Sequence, residues 1–272
     1  MWQDYHCREL GGGYCAQRSS NAHSRSRSSA HSTIGLGLNP DRLTETIHDV
    51  LTSAEIDLTQ VIADTNIETL KLAPCNILLA GAELELTLVF GREFVLGEKL
   101  SQVSDQYDVC IIDCPPSLGM LTLNALVAST DIVVPVQVHY YAMEGLKQLL
   151  ETVSIVRERF HPCSVKILGL LLTFVENRTI LSKQIQQQMR EFFGSLVFDT
   201  VVHRTVRLAE APSAGESIVT YAPKSKGAAE YMALAAEIFN GTGHASQQAK
   251  EEIEVDDIQA EQAKEIDNGG QE

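Results

Sequence analysis

The chain has 272 residues, 44% of them hydrophobic and 21% charged, with a formal net charge of −15. That length suits one α/β domain with tails. No apolar run reaches the about 18 residues a membrane helix needs, residues 1–30 lack a secretory pattern, and the acidic balance argues against nucleic-acid binding by the whole surface. Six cysteines are scattered without paired spacing, and Cys75, Cys110 and Cys163 lie in or beside apolar segments. That usage fits reduced thiols in a cytoplasmic protein better than a disulfide framework.

Residues 1–29 show no helical or strand period, are rich in Ser, Arg and Gly, and read as disordered. His6, Cys7, Cys15 and His23 are candidate zinc ligands, but their spacing fits no usual finger. A basic Ser/Arg arm is a second reading. Asn39-Pro40-Asp41 looks like a helix start, with Leu43, Ile47, Val50 and Leu51 on one face. A loop and short helix are expected over Ile56 to Ile67. Asn76 to Ala80 reads as a strand. After Gly81-Ala82 a long helix is expected to about Val103, with Leu84, Leu88, Phe94 and Leu100 in the core.

The most informative stretch is Tyr107 to Ala128, YDVCIIDCPPSLGMLTLNALVA. Val109-Cys110-Ile111-Ile112 is apolar at consecutive positions, as in a parallel strand buried on both faces. It ends in Asp113. A rigid turn, Cys114 to Gly119, leads into a helix near Met120. Ligands of open α/β sheets bind beyond the carboxyl ends of strands. A carboxylate there can hold Mg²⁺ through water and orient a water near a phosphate. It can equally cap the turn before the helix.

From Asp131 strands and helices alternate: Ile132 to Val136, Ala142 to Phe160, Val165 to Thr173, Ile180 to Phe193. This pattern implies a parallel sheet covered on both faces. His139, Tyr140 and Tyr141 follow a strand end and suit packing or turn roles better than a site. Arg204, Arg207, Lys224 and Lys226 form a recurrent basic set in an acidic chain, readable as solvated cations or as phosphate contacts. Residues 243–272 hold nine acids and two lysines. They follow a Gly241-Thr242-Gly243 stop and read as a solvated tail.

Several of these segments, in order, resemble the ParA/MinD-type partition ATPases, a branch of the P-loop NTPases. Tyr107 to Ala128 resembles their Walker-B and switch-II segment. Asp131 to Val153 resembles the next strand and helix, Ile167 to Ile185 the strand and adenine-side loop, and Val201 to Ile238 the closing segment. His31 to Leu51 fits the chromosome-partitioning subgroup. The resemblance covers about residues 30 to 240. It implies a doubly wound, mainly parallel α/β sheet of the P-loop NTPase class with its N-terminal strands and phosphate loop missing. Three regions follow: a non-native segment 1–30, a ParA-like ATPase domain 31–240 and an acidic tail 241–272.

The resemblance further implies the cofactors ATP and Mg²⁺, with Asp113 as the catalytic residue holding the metal through water. Pro115, Thr173, Arg178 and Pro212 would flank the nucleotide. Arg204, Arg207, Lys224 and Lys226 would hold DNA without reading sequence. The family forms ATP-dependent homodimers, binds DNA non-specifically and is stimulated by a centromere-binding ParB-type partner. A cytoplasmic, nucleoid-associated location is therefore expected. A membrane-positioning, MinD-like role would need a basic amphipathic C-terminal helix, and this tail is acidic. The remaining alternative is a non-enzymatic, truncated ParA-like binding module.

The first thirty residues depart from the family. Its phosphate loop belongs there, yet Arg27, Ser28 and Ser29 stand where Asp-Pro-Gln is expected. Read one base later, codons for Trp2 to Cys7 permit Gly-Lys-Thr-Thr-Thr-Ala, and codons for Ser24 to Ser29 permit Leu-Val-Leu-Asp-Pro-Gln. A single lost base near codons 29–30 accounts for both. As written, the chain is expected to hydrolyse no ATP and to fold poorly, because a central strand and the phosphate counter-charge would be gone.

Overall fold

The computed structural model describes residues 15–16, 31–114, 117–139 and 142–241. The expectations for the rest of the first thirty residues, for Pro115, for Tyr140 and Tyr141 and for the acidic tail lie outside these residues. Two residues of the segment expected to be without structure do form a strand, β1 (Cys15–Ala16). It pairs in parallel with β4 (Ile111–Ile112), Cys15 opposite Ile111. Backbone groups at the edge of a strand take a partner where one is in reach.

The N-terminal half is assembled from short pieces: α1 (His31–Gly35), α2 (Ile47–Thr52), α3 (Leu58–Val61), β2 (Ala63–Asp64), β3 (Lys71–Leu72), α4 (Ala82–Leu86) and α5 (Val95–Ser101). The Asn39 start closes only one 3-10 turn, Pro40–Arg42. The helix on which Ile47, Val50 and Leu51 are buried begins later, behind a Thr46/Asp49 capping box. Lys99 crosses the small core beneath, donating to the carbonyls of Ala54 and Ile56 and to Asp57.

Three expectations fail in this half. Val109 to Ile112 is not buried on both faces: only Ile111 and Ile112 form strand, both half-buried, and Cys110 is exposed. Asn76 to Ala80 is no strand: a 3-10 turn runs from Ile77 to Gly81. The Asn76 side chain accepts from the Leu78 N–H at 2.9 Å and turns the chain. The long helix to Val103 is broken into α4 and α5. Leu84 and Leu88 are 77% and 89% exposed, so they are not core, while Leu86 between them is fully buried.

The C-terminal half is regular. After β4 come α6 (Met120–Ala128), β5 (Asp131–Gln137), α7 (Ala142–Arg159), β6 (Lys166–Val175), α8 (Ile180–Phe193), β7 (Val197–His203), α9 (Val206–Glu210), α10 (Ile218–Tyr221) and α11 (Lys226–Gly241). β5, β6 and β7 form a parallel sheet in that order. The expected strands and helices from Asp131 to Phe193 are present within two residues of their predicted ends.

Three consecutive leucines show how the sheet is covered. Leu170, Leu171 and Leu172 of β6 are all fully buried. Leu170 and Leu172 pack with Ala142 and Leu146 of α7 and with Ile185 and Met189 of α8. Leu171 packs with Tyr231 and Leu234 of α11 on the opposite face. Side chains alternate along a strand, so an unbroken apolar run is possible only with helices on both faces. Each such leucine contributes roughly 1.5–3 kcal/mol of burial. Gly169 is required here, because a Cβ on it would stand 2.5 Å from the Phe198 ring.

Helix α11 also guards the outer edge of β7. The Glu237 carboxylate accepts from the Asp199 and Thr200 N–H groups, at 2.6 and 2.9 Å. Two turns earlier Glu230 accepts from the His203 N–H at 3.0 Å. Edge-strand donors are thus satisfied by side chains of the covering helix.

Candidate functional site

Asp113 follows β4 directly, at its carboxyl end, and is half-buried. The Ser32 hydroxyl donates to its Oδ2 at 3.4 Å. Ser32 and Thr33 are themselves buried, at 3% and 0% exposure. Thr33 exchanges hydrogen bonds with the backbone of Cys75, both at 3.0 Å. These bonds hold α1 across the end of β4. Burial pushes the Cys75 thiol up to about 11, against the Thr33 hydrogen bond and with help from the Asp113 charge.

Beyond the turn, α6 starts at Gly119 with no side-chain cap. The Glu83 carboxylate lies against that glycine, so close that a Cβ there would stand 2.0 Å from Glu83 Oε1. An acid at the start of a helix is favoured by the helix dipole. Together Asp113 and the Ser32 hydroxyl suit a magnesium ion held through water. The sequence contains no Gly-Lys-Thr or Gly-Lys-Ser, the pattern whose lysine usually meets the charge of a triphosphate.

The residues expected on the nucleoside side gather only in part. Thr173 is 8% exposed and its hydroxyl donates to the Val136 carbonyl at 3.2 Å, across the sheet. Arg178 is exposed in the loop after β6. Pro212 sits in a 3-10 turn, Ala211–Ala214, that packs against α1, where a Cβ on Gly35 would stand 3.9 Å from the Pro212 Cβ. Gly37 and Gly215 make that contact possible, since both have positive φ (82° and 67°) and their backbones touch. Pro115 lies outside the described residues.

Arg204, Arg207, Lys224 and Lys226 are all exposed, on the loop after β7, on α9, before α11 and at its first residue. A Cβ on Gly227 would stand 2.8 Å from Leu208, which shows how close the two helices come. Arg204 pairs with Glu176 at 3.3 Å, Arg207 with Glu210 at 2.9 Å and Lys226 with Glu230 at 3.5 Å. Glu210 raises the Arg207 guanidinium further above its ordinary value. Exposed pairs of this kind are worth roughly 0–1 kcal/mol, so a phosphate can replace the carboxylate. The N-terminus of α11 adds partial positive charge beside Lys226.

Sequence reasoning missed Ser32, Glu83, Asn177 and His203. Ser32 and Asp113 are 81 positions apart, and nothing in local spacing joins them. A groove of about 450 Å³ between α7 and α8, lined by His139, Met143, Leu181, Gln184 and Ile185 among others, contains none of the expected residues. Among the described residues no three His, Cys, Asp or Glu converge as a metal site, and no helix is long and apolar enough to cross a membrane.

Comparison with known proteins agrees with this arrangement. The family model AAA_31, described as an AAA domain, matches residues 28–167. The sporulation initiation inhibitor protein Soj of Bacillus subtilis is 44% identical over 208 residues, covering 76% of this chain and 81% of Soj. The chromosome partitioning protein ParA of Myxococcus xanthus is 41% identical, over 75% of this chain and 72% of ParA. Among solved structures, cobyrinic acid a,c-diamide synthase of Mycobacterium smegmatis, with bound ATP analogue and magnesium, is 31% identical. It has a TM-score of 0.70 and covers 91% of this chain and 88% of the synthase. The cell division ATPase MinD of Pyrococcus furiosus, 19% identical with a TM-score of 0.66 over 87% of this chain and 89% of MinD, shares the fold. The chain belongs to the ParA/Soj family of partition ATPases.

Proposed function

We propose that this chain is a chromosome- or plasmid-partition ATPase by descent, whose metal and DNA surfaces are present and whose phosphate grip is not. The observation that carries the reading is the Ser32–Asp113 pair at the carboxyl end of β4, within a chain 44% identical to Soj. Asp113 holds magnesium through water, Pro115, Thr173, Arg178 and Pro212 flank the nucleoside, and Arg204, Arg207, Lys224 and Lys226 grip DNA backbone. With ATP the family dimerises, and a ParB-type centromere-binding partner stimulates release. The protein would work in the cytoplasm, on the nucleoid.

The frame shift inferred for residues 1–30 removes the loop lysine and threonine. The polypeptide as written therefore neither holds nor hydrolyses ATP. Sequencing the gene across codons 1–35 and some bases upstream tests this: an extra base restoring Gly-Lys-Thr-Thr and Asp-Pro-Gln returns the protein to an ordinary partition ATPase. Detectable ATP binding by the 272-residue polypeptide would sink the proposal. The second reading, a nucleotide-independent DNA-binding module, is supported by the exposure of Arg204, Arg207, Lys224 and Lys226. Duplex binding that is unaffected by ATP and falls steeply with salt would decide for it.

A further inference from the structure

The strongest polar cluster outside the Asp113 site runs from the loop after β6 to the start of α11. His203, the last residue of β7, is held three ways. Its N–H donates to Glu230 Oε2 at 3.0 Å. Its Nδ1 lies 2.6 Å from Glu230 Oε1. Its Nε2 lies 2.9 Å from the side-chain nitrogen of Asn177. Both ring nitrogens therefore have a side-chain partner, Glu230 at one and Asn177 at the other. The His203 and Glu230 side chains are only 15% and 12% exposed. Lys226 completes the chain, 3.5 Å from Glu230 on the next turn.

We propose that His203 is a positioning residue that ties the loop carrying Asn177 and Arg178 to the N-terminal turn of α11, so that the two surfaces are set together. What those surfaces bind, nucleoside and DNA, rests on the reading above; the tie itself does not. The loop needs such a tie. Just before it, within the last two residues of β6, Phe174 has φ 56°, a left-handed conformation rare for an aromatic residue. The loop's other bonds to the body are the Ser182 hydroxyl on the Glu176 N–H, the Arg204 N–H on the Val175 carbonyl, the Thr179 cap on the Ser182 N–H and the exposed Arg204–Glu176 pair, none of which holds the Asn177 side chain. Asn177 reaches the body of the protein through His203 alone among the bonds of its described side chain.

Glu237 supplies an internal control. It caps β7 from the same helix, at Asp199 and Thr200, but makes no bond toward the loop. Hydrogen exchange of the full chain, without ligand, separates the two carboxylates. His203→Asn keeps a donor toward Glu230 and loses the reach to Asn177. It should speed exchange in 174–179 about five- to tenfold, the effect of one lost hydrogen bond, and leave 199–200 unchanged. Glu237→Gln should do the reverse. Unchanged exchange in 174–179 with His203→Asn, or an equal rise there with Glu237→Gln, overturns the tie.

Binding of a fluorescent duplex reads the coupling. Asn177→Ala, which touches no cation of the set, should weaken binding several-fold. Wild-type affinity in that variant, with a loosened loop, overturns the coupling. If the wild-type chain binds no duplex, the DNA reading fails by itself and the exchange pattern still decides the tie.

Discussion

Between Asp131 and His203 the chain forms parallel strands of seven, ten and seven residues, whereas the strands between Ala63 and Ile112 are two residues long. The first region buries consecutive leucines on both faces of β6. The second leaves Ile77, Leu78, Leu84, Leu88 and Phe90 between 55% and 104% exposed. Both regions are rich in apolar residues, so hydrophobicity does not separate them. What separates them is whether a strand has neighbours. β6 is hydrogen-bonded on both sides and covered by helices above and below. Among the described residues, β4 is bonded to β1 alone, a strand of two residues. An apolar segment becomes core only when a second layer closes on it.

The largest expected contrast is between two leucines. Leu171→Ala should lower the unfolding free energy by about 2–5 kcal/mol, whereas Leu88→Ser should change it by less than about 0.5 kcal/mol. Urea titration of both variants checks this, and similar losses would mean that the N-terminal half closes as tightly as the other. Next comes Gly119→Ala, which drives a methyl group into the Glu83 carboxylate and should cost about 1–3 kcal/mol. Adding Glu83→Ala should recover most of that loss; an additive double variant breaks the assignment.

Smaller effects test the cap of α2. Thr46→Ala should cost about 1 kcal/mol. Burial raises the Asp49 carboxyl, but the Thr46 N–H, the His48 ring and the Thr46 hydroxyl together hold it below its ordinary value of 3.8. A depressed carboxylate stabilises the folded state above its unfolded value and loses that contribution as pH falls through the folded value. The gap between wild type and Asp49→Asn should therefore be full above about pH 4 and shrink below it. The smallest test changes no residue. Iodoacetamide at pH 8 should label exposed Cys110 well before Cys75, whose thiol burial has pushed up to about 11. Equal labelling rates would show that the Thr33–Cys75 contact opens readily.

The contrast also explains what could be read from the sequence. β5 to α8 were legible because each element carries its own signal: a branched apolar run, then a helical period with a cap such as Thr179, which accepts from the Ser182 N–H. Asn76 to Ala80 carries an apolar run too, and a short one cannot by itself distinguish a strand from a turn. The Asn76 side chain decides locally for the turn. Leu84 and Leu88 fit a helical stripe, yet α4 ends at Leu86. For the site, Asp113 was visible because it ends an apolar run. Ser32, Glu83 and the Asn177–His203–Glu230 chain were not, because their partners lie 26 to 81 positions apart and only the fold brings them together.

The two carboxylates along α11 have a consequence for assembly. A sheet whose outer strand shows bare N–H groups can be extended by any passing strand, in a misfolded neighbour or a growing fibre. Here such a newcomer would have to displace Glu230 and Glu237 from β7 and leave both acids without their donors. Addition of a strand at that flank therefore carries the cost of two carboxylates losing their donors.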